Sequence, residues 1–398
     1  MTASKELRVN SLIGTNHALS HFYQLCLAPM FVPLHDAFGA SYTELGLLAA
    51  TMLFFTGALQ TPMGVLVDRF GARPFLIGGS LAMAGGMLCM GLATHFWQLL
   101  LLAGISGLGN SVIHPADYAI LTGSIRKEVI GRSFAVHSFS GNVGYAIAPT
   151  LMVGMTDFVG WRGALIGAGL LGLVAVGAIA LQSRVLADQV RHPRDSSLRT
   201  RDLFTSRTLW LFFAFYMLSS MAVSGMQNWL ITVLHQVNGF ELAIGSTALT
   251  IFLICNSAGT LLGGWVADRA PRHMLTMSIS FTIIPSLLIA LAAFIPLTPT
   301  TLFALLAVAG FTMGASRTPR DVMLKEASPP GQIGKVFGFV SSGLPFGSAI
   351  TPLPFGWLMD HAHPQLVLPL AGAILFSSVF CIGSARASGP ATVPAAAE

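Results

Sequence analysis

The chain has 398 residues, of which 54% are hydrophobic and 9% are charged, and its formal net charge at pH 7 is +5. A soluble domain carries about 25% charged residues. With a mean hydropathy of +0.72, the composition excludes an ordinary soluble domain and predicts a membrane protein. A chain of this length has room for about a dozen spans of roughly 20 residues.

Twelve apolar stretches follow one another along the chain, and each is long enough to cross a bilayer as a helix. Backbone polar groups in hydrocarbon must be paired internally, which favours helices. Apolar runs such as LIGAGLLGLVAVGAIAL exclude the alternating pattern of a membrane β-barrel. We therefore predict an all-α membrane protein with twelve spans, at 10–35, 44–67, 74–94, 97–122, 133–156, 162–182, 208–235, 243–267, 273–295, 299–323, 333–358 and 365–385.

The basic residues outside the spans fall on one side of this twelve-helix arrangement, and the other side has Arg162. Cytoplasmic loops carry the excess of Lys and Arg, so we expect both termini to be cytoplasmic in the cytoplasmic (inner) membrane. The positive charge then reflects topology and contact with anionic lipids, and we expect no nucleic-acid partner. The basic positions are Lys5, Arg8, Arg69, Arg73, Arg126, Lys127, Arg132, Arg184, Arg191, Arg194, Arg199, Arg201, Arg207, Arg269, Arg272, Lys325, Lys335 and Arg386.

The second half of the chain resembles the first at an offset of about 200 residues. GVLVDRFGARP at 64–74 matches GWVADRAPRHM at 264–274, and GRSFAV at 131–136 matches GKVFGF at 334–339. Parallel repeats of this kind are typical of transporters, with a binding site expected between the halves. The predicted organisation is a six-helix bundle at 1–182, a cytoplasmic linker at 183–207, a second six-helix bundle at 208–386 and a disordered cytoplasmic tail at 387–398.

The connection after the second span carries a motif of glycines and charges, at Gly64, Asp68, Arg69, Gly71 and Arg73. A partial copy follows the eighth span at Asp268 and Arg269, where Pro271 replaces the second glycine. On these residues the chain resembles the major facilitator superfamily over its whole length. The stretches HPADYAIL and GRSFAVHSFSGNVGYAIAP resemble its fosmidomycin-resistance-like branch.

The resemblance implies two pseudo-symmetric six-helix bundles that act as a monomer by alternating access. It also implies that helices 1, 4, 7 and 10 line a central cavity. The loop motif would act as a gate that holds the halves together when the cavity opens outward. In the fifth span, Gly144, Pro149 and Gly154 resemble the family's antiporter motif, although Ala148 stands where a glycine usually precedes the proline.

The tenth span contains two arginines in the stretch SRTPRD at 316–321. A charge at the bilayer centre costs about 2.5–3.5 kcal/mol or more. Arg317 and Arg320 are at i and i+3 on one helix face, which predicts a face that binds a carboxylate, phosphate or phosphonate. Asp321 lies about 100° round the helix from Arg320, so it need not neutralise both arginines. In the alternatives, Arg320 reaches the cytoplasmic interface, or Arg320 and Asp321 serve a latch between the halves.

Polar residues in the first half suggest a proton pathway. His114 and Asp117, in the fourth span, match Arg317 and Arg320 in the repeat. Imidazole titrates near physiological pH, so we predict proton coupling by four residues. These are Asp117, His114, His17 and His137. The alternative is a structural ion pair of Asp117, with Arg126 as one possible partner.

Further substrate contacts are predicted beside Arg317 and Arg320, from polar side chains in the first, fourth and seventh spans. These side chains are His21, Gln24, His114, Gln227 and Asn228. His17 and His21 share one helix face, so zinc binding is conceivable, but no carboxylate or thiolate on their helix has ligand spacing. We predict no metal site, no cofactor and no catalytic residue.

The predicted function is secondary active transport of a small, anionic organic solute, coupled to protons, with import and export both open. A multidrug exporter for lipophilic cations is an alternative, but it would need an acidic cavity. A membrane sensor without transport activity is another, although such sensors usually carry a soluble output domain. An enzyme is not expected, because the chain has no metalloprotease, phosphate-binding or dinucleotide motif, and GISG at 104–107 is explained by small residues at helix contacts.

Overall fold

The computed structural model describes residues 3–188, 205–328 and 333–387, and within these ranges the chain forms helices and no β-strand. Residues 189–204 of the predicted linker and 388–398 of the predicted tail lie outside the described residues. The prediction of an all-α protein is therefore confirmed for the described part of the chain.

Ten helices in the described ranges are long and apolar enough to cross a membrane. The longest, Ile130–Val185, contains Gly160 in a non-helical conformation (φ 72°, ψ 168°), which separates two helices. The first helix, Ala3–Cys26, is less apolar than these ten because it carries several polar side chains. When Ile130–Val185 is counted as two helices and the first helix is added, the described residues form the twelve predicted helices.

We number these helices α1 to α12 in chain order. They are α1 (Ala3–Cys26, continued by Phe31–Phe38), α2 (Tyr42–Phe70), α3 (Ala72–Gly91), α4 (Phe96–Ser111 and Ile113–Ser124), α5 (130–159), α6 (161–182), α7 (Arg207–Asn238), α8 (Leu242–Arg269), α9 (Met274–Leu291), α10 (Pro299–Ala315 and Arg317–Ala327), α11 (Ile333–Ser341, Gly343–Ile350 and Pro352–Asp360) and α12 (Val367–Ala387).

Large apolar side chains cover the outside of these helices. Phe158, Leu181 and Leu261 are 90%, 87% and 75% exposed. Exposure of large apolar side chains to water is unfavourable, whereas their contact with the hydrocarbon of a lipid bilayer is favourable. The protein is therefore a multi-pass membrane protein.

Four spans that the sequence predicts as continuous helices are interrupted, namely α1, α4, α10 and α11, and the interruptions of α4 and α10 have the same form. The segments of α4 meet at Val112, and those of α10 meet at Ser316. In each case a proline lies three residues further on, at Pro115 and Pro319. Proline has no N–H to donate to the carbonyl four residues earlier, so the helical ladder is weakened there. Both interruptions lie beside residues predicted to bind substrate.

The chain divides into two compact units. The first comprises Met1–Arg194 with Glu241–Thr250, and the second comprises Asp195–Phe240 with Ile251–Glu398. The start of α8 is thus grouped with the first unit, whereas the sequence places it in the second bundle. The predicted linker and bundle boundaries stay a prediction.

The internal repeat is visible as the same helix contact inside each unit. In the first unit, a Cβ built on Gly144 of α5 would lie 2.0 Å from the carbonyl oxygen of Ala18 in α1. In the second, a Cβ on Gly347 of α11 would lie 2.3 Å from the carbonyl oxygen of Met217 in α7. The two glycines are 203 residues apart, as in the sequence repeat. Each lets two helices approach more closely than a side chain would allow.

We expect Gly144→Ala to destabilise the protein, because the added methyl group would overlap the α1 backbone. Overpacking of this kind costs about 1–3 kcal/mol, so the thermal unfolding temperature of the purified protein in detergent should fall. Gly154→Ala is the matched control in the same helix, since nothing lies within 4 Å of its added Cβ. Equal unfolding temperatures for the two variants would contradict this account of the α1–α5 contact.

Candidate functional site

Four histidines from three helices of the first unit meet in one cluster. His17 Nε2 lies 3.0 Å from His21 Nε2, one turn further along α1. It also lies 3.4 Å from His114 Nε2 of α4. The ring of His137 on α5 stacks on the ring of His17, with centroids 3.5 Å apart. His17 and His137 are buried, while His21 and His114 are half-buried. The cluster joins three of the four residues predicted for proton coupling.

The fourth of these residues, Asp117, is fully buried and bonds to the cluster through His137. His137 Nε2 lies 3.0 Å from Asp117 Oδ2, and Asp117 Oδ1 has no hydrogen-bond partner among the described residues. The alternative partner Arg126 instead donates to Glu6, with Nε 2.8 Å from Oε1 and Nη2 3.2 Å from Oε2. The Asp117 carboxylate therefore contacts an imidazole rather than a guanidinium.

A second polar network lies beside the histidines. Tyr145 of α5 donates to Gln24 Oε1 at 2.6 Å, and Gln24 Nε2 donates to Asn110 Oδ1 of α4 at 3.3 Å. The rings of Tyr145 and His21 are 4.4 Å apart. Sequence reasoning selected Gln24 and His21 but missed Tyr145 and Asn110. Tyr145 lies eight residues after His137, which places both on one face of α5, and this spacing could have identified it.

In the second unit, Arg320 of α10 is bound within a local network. Its Nε donates to Asp321 Oδ1 at 2.9 Å, its guanidinium lies 4.0 Å from the centre of the Tyr216 ring of α7, and Tyr216 also donates to Asp321. Asp321 thus pairs with one of the two arginines, Arg320, which agrees with the expectation that it need not neutralise both. The side chain of Arg320 is long and flexible enough to reach a neighbour 100° round the helix.

The other residues predicted to bind substrate in this unit are Arg317, Gln227 and Asn228. Arg317 is half-buried and begins the second segment of α10. Gln227 of α7 is half-buried. Asn228 is buried and donates 2.9 Å to the carbonyl oxygen of Ser224 in its own helix, which is the behaviour of a packed amide.

The loop motif after α2 binds the chain that follows α6. Gly71 has φ 93°, a conformation that favours glycine. Arg73 donates from Nη2 to the carbonyl oxygen of Leu186 at 2.6 Å and from its backbone N to Asp188 Oδ1 at 3.0 Å. Sequence reasoning missed Asp188 because no local signal relates it to the motif. The loop therefore fixes the first residues after the sixth helix.

The remaining motif residues have simpler surroundings. Gly64 faces Pro115 of α4, and a Cβ there would be 3.7 Å from the proline. Asp68 and Arg69 are exposed, as are Asp268 and Arg269 in the partial copy, where Arg269 lies 4.0 Å from the Trp265 ring centre. Among the described residues Asp68 forms no ion pair. The gating role of these residues stays a prediction.

Twelve helices in two repeated sets, with polar and charged clusters inside apolar spans, define a membrane transport protein. A sequence profile described as Major Facilitator Superfamily matches residues 13–295 and 238–397. The chain belongs to the major facilitator superfamily, a family of transporters rather than enzymes.

Curated relatives and a solved structure agree with this assignment. The chain is 26% identical over 251 residues to a probable L-galactonate transporter of Escherichia coli, covering 59% of this chain and 55% of that relative. It is 26% identical over 386 residues to the fosmidomycin resistance protein of the same organism, covering 91% of this chain and 90% of that relative. The structure of a bacterial homologue of the human lysosomal transporter Spinster, in an inward-facing and occupied conformation, superposes with a TM-score of 0.78 at 15% identity, covering 99% of this chain and all of that one.

Proposed function

We propose that this protein is a proton-coupled secondary transporter of a small organic anion. Membership of the superfamily supports transport. The acidic solute and the coupling are inferred from the clusters in the two units. The observation that carries the proposal is the fully buried Asp117–His137 pair inside a membrane-spanning helix bundle.

Recognition of an anion is proposed to depend chiefly on Arg317. The stretch at 316–321 carries two arginines and one aspartate, and the aspartate is bound to Arg320. By composition the stretch has one more arginine than aspartate in a membrane helix, where a charge is tolerated if it faces protein, water or a counter-charge. A guanidinium matches a carboxylate or phosphonate through two parallel hydrogen bonds. A probable L-galactonate transporter and a fosmidomycin resistance protein, whose names contain acidic compounds, are among the relatives.

Proton coupling is proposed to use Asp117. One of its carboxylate oxygens bonds to His137, and the other has no partner among the described residues. A buried carboxylate with one oxygen available can accept a proton, and His137 can shift its hydrogen bond in response. His17 and His114 are proposed to extend the pathway, because they continue the chain of imidazoles from His137.

The remaining parts of the proposal follow from the sequence. The basic residues outside the spans favour cytoplasmic termini in the cytoplasmic membrane. The protein is proposed to act as a monomer by alternating access of its two repeats, with His21 and Gln24 of α1 and Gln227 and Asn228 of α7 contributing substrate contacts. The loop motif, including Asp68 and Asp268, is proposed as the gate.

The test is solute transport by the purified protein in lipid vesicles with an imposed pH gradient. The probes are L-galactonate, fosmidomycin, a neutral sugar and a lipophilic cation. We expect accumulation of an acid and not of the neutral sugar, and the accumulation should collapse when the gradient is dissipated. Transport of the lipophilic cation alone would favour the multidrug alternative. Binding of an acid without transport would favour a sensor.

A further inference from the structure

We infer that His17, His21 and His114 form a three-histidine binding site for a divalent transition-metal ion of the zinc class. The ligand atoms of the three residues all lie within 4.8 Å of one another. The sequence predicts no metal site because no carboxylate or thiolate on α1 has ligand spacing to its two histidines. The fold adds the third ligand from α4. The three residues also belong to the proposed proton pathway and substrate contacts, but the inference is tested separately because its readout is metal binding at equilibrium rather than transport.

The first argument is the spacing of the ligand atoms. His17 Nε2 lies 3.0 Å from His21 Nε2 and 3.4 Å from His114 Nε2. Two nitrogens bound to one tetrahedral zinc ion, with bonds of about 2.0–2.1 Å, stand roughly 3.3 Å apart. The observed separations lie on either side of this value. Small rotations of the half-buried His21 and His114 would bring all three nitrogens to the distance that a metal requires.

The second argument is the protonation of His17. Its Nδ1 lies 2.7 Å from the backbone carbonyl oxygen of His137. A carbonyl oxygen only accepts hydrogen bonds, so Nδ1 carries the proton, and the neutral ring has a lone pair on Nε2. That lone pair faces two further imidazole Nε2 atoms. In histidines that bind metals, the N–H of the second ring nitrogen commonly donates a hydrogen bond to a carbonyl oxygen. This bond fixes the ring and directs the lone pair of the other nitrogen to the ion.

The third argument is the space that Gly141 leaves for the imidazole rings of His17 and His21. A Cβ built on Gly141 of α5 would lie 2.7 Å from His17 Cε1 and 2.7 Å from His21 Cδ2. Any other residue at position 141 would therefore push both imidazoles out of place. Since His17 and His21 are one turn apart on α1, they project from the same face, and Gly141 lets that face pack against α5 without displacing the rings.

Three protein ligands leave one tetrahedral position open, as in catalytic and exchangeable zinc sites. Imidazole ligands suit Zn²⁺, Co²⁺, Ni²⁺ and Cu²⁺ rather than Mg²⁺ or Ca²⁺, which prefer oxygen. The site should therefore select the former group, with the usual increase in affinity from cobalt to copper.

The experiment is calorimetric titration of the purified full-length protein with Zn²⁺, together with the visible absorption spectrum of the Co²⁺-loaded protein. We expect one ion per chain, and Mg²⁺ at the same concentration should not compete. His21→Ala and His114→Ala should each weaken Zn²⁺ binding about 100-fold or more, because each removes one ligand. His35→Ala is the matched control. His35 lies in the continuation of α1, bonds to the Ala40 carbonyl oxygen and is outside the cluster, so its loss should leave the affinity unchanged.

A second variant keeps the test decisive if a ligand variant does not fold. Gly141→Ala leaves all three histidines in place but occupies the space of two rings, so it should weaken Zn²⁺ binding and alter the Co²⁺ spectrum. Absence of stoichiometric Zn²⁺ binding by the wild-type protein would overturn the inference. Equal affinity in wild type, His21→Ala and His114→Ala would overturn it as well.

Discussion

Asp117→Asn is expected to abolish accumulation of the solute against its gradient while leaving binding and passive equilibration in place. An amide keeps the shape of the side chain but cannot take up and release the proton. A gradient of one pH unit supplies about 1.4 kcal/mol per proton, or about tenfold accumulation of a solute moved with one proton. The wild-type protein in vesicles should approach this ratio, and the variant should stop at equal concentrations on both sides.

The controls separate loss of coupling from loss of folding. Asp157→Asn removes an exposed carboxylate from the same unit and should transport as the wild type does. Asp117→Glu keeps a carboxylate and should retain part of the accumulation. If Asp117→Asn accumulates solute as well as the wild-type protein, Asp117 is not the proton carrier and the His137–Asp117 pair has a structural role.

Arg317→Ala is expected to reduce the affinity for the acidic probe. Removing one partner of a buried, hydrogen-bonded charge pair costs about 2 kcal/mol or more, which is roughly 30-fold in Kd. The measurement is the thermal shift or calorimetric Kd of the purified protein with whichever acid the vesicles accumulate. Arg317→Lys should recover only part of the affinity, because lysine keeps the charge but not the forked donors.

Two further variants test whether the loss of affinity is specific to Arg317. Lys325→Ala removes an exposed positive charge from the same helix and should leave the Kd unchanged. Arg320→Ala should act mainly on stability, because Arg320 binds Asp321 and packs on Tyr216. We expect a lower unfolding temperature and a smaller change in Kd than in Arg317→Ala. Unchanged affinity in Arg317→Ala would remove the basis for anion recognition by α10.

The amino-acid sequence by itself determined that the protein is an all-α membrane protein, how many helices it has and that its two halves are repeats. Hydropathy over about 20 residues is a local property, and hydrocarbon allows few alternatives to a helix for each apolar span. The glycines and charges after α2 identified the family because they lie close together in the chain. The first helix was predicted from its apolar stretch at 10–35, although Asn16, His17, His21 and Gln24 make it less apolar than the rest.

The tertiary structure decided which of the polar residues meet. His17 and His21 could be paired from their helical spacing, but their contacts with His114 and His137 join positions 97 and 120 residues away from His17. The same holds for Tyr216 with Asp321, for Arg73 with Asp188 and for Arg126 with Glu6. A side chain in an apolar span has several possible partners at similar sequence distance. Only the packing of the helices, set by close contacts such as that of Gly144 with α1, selects among them.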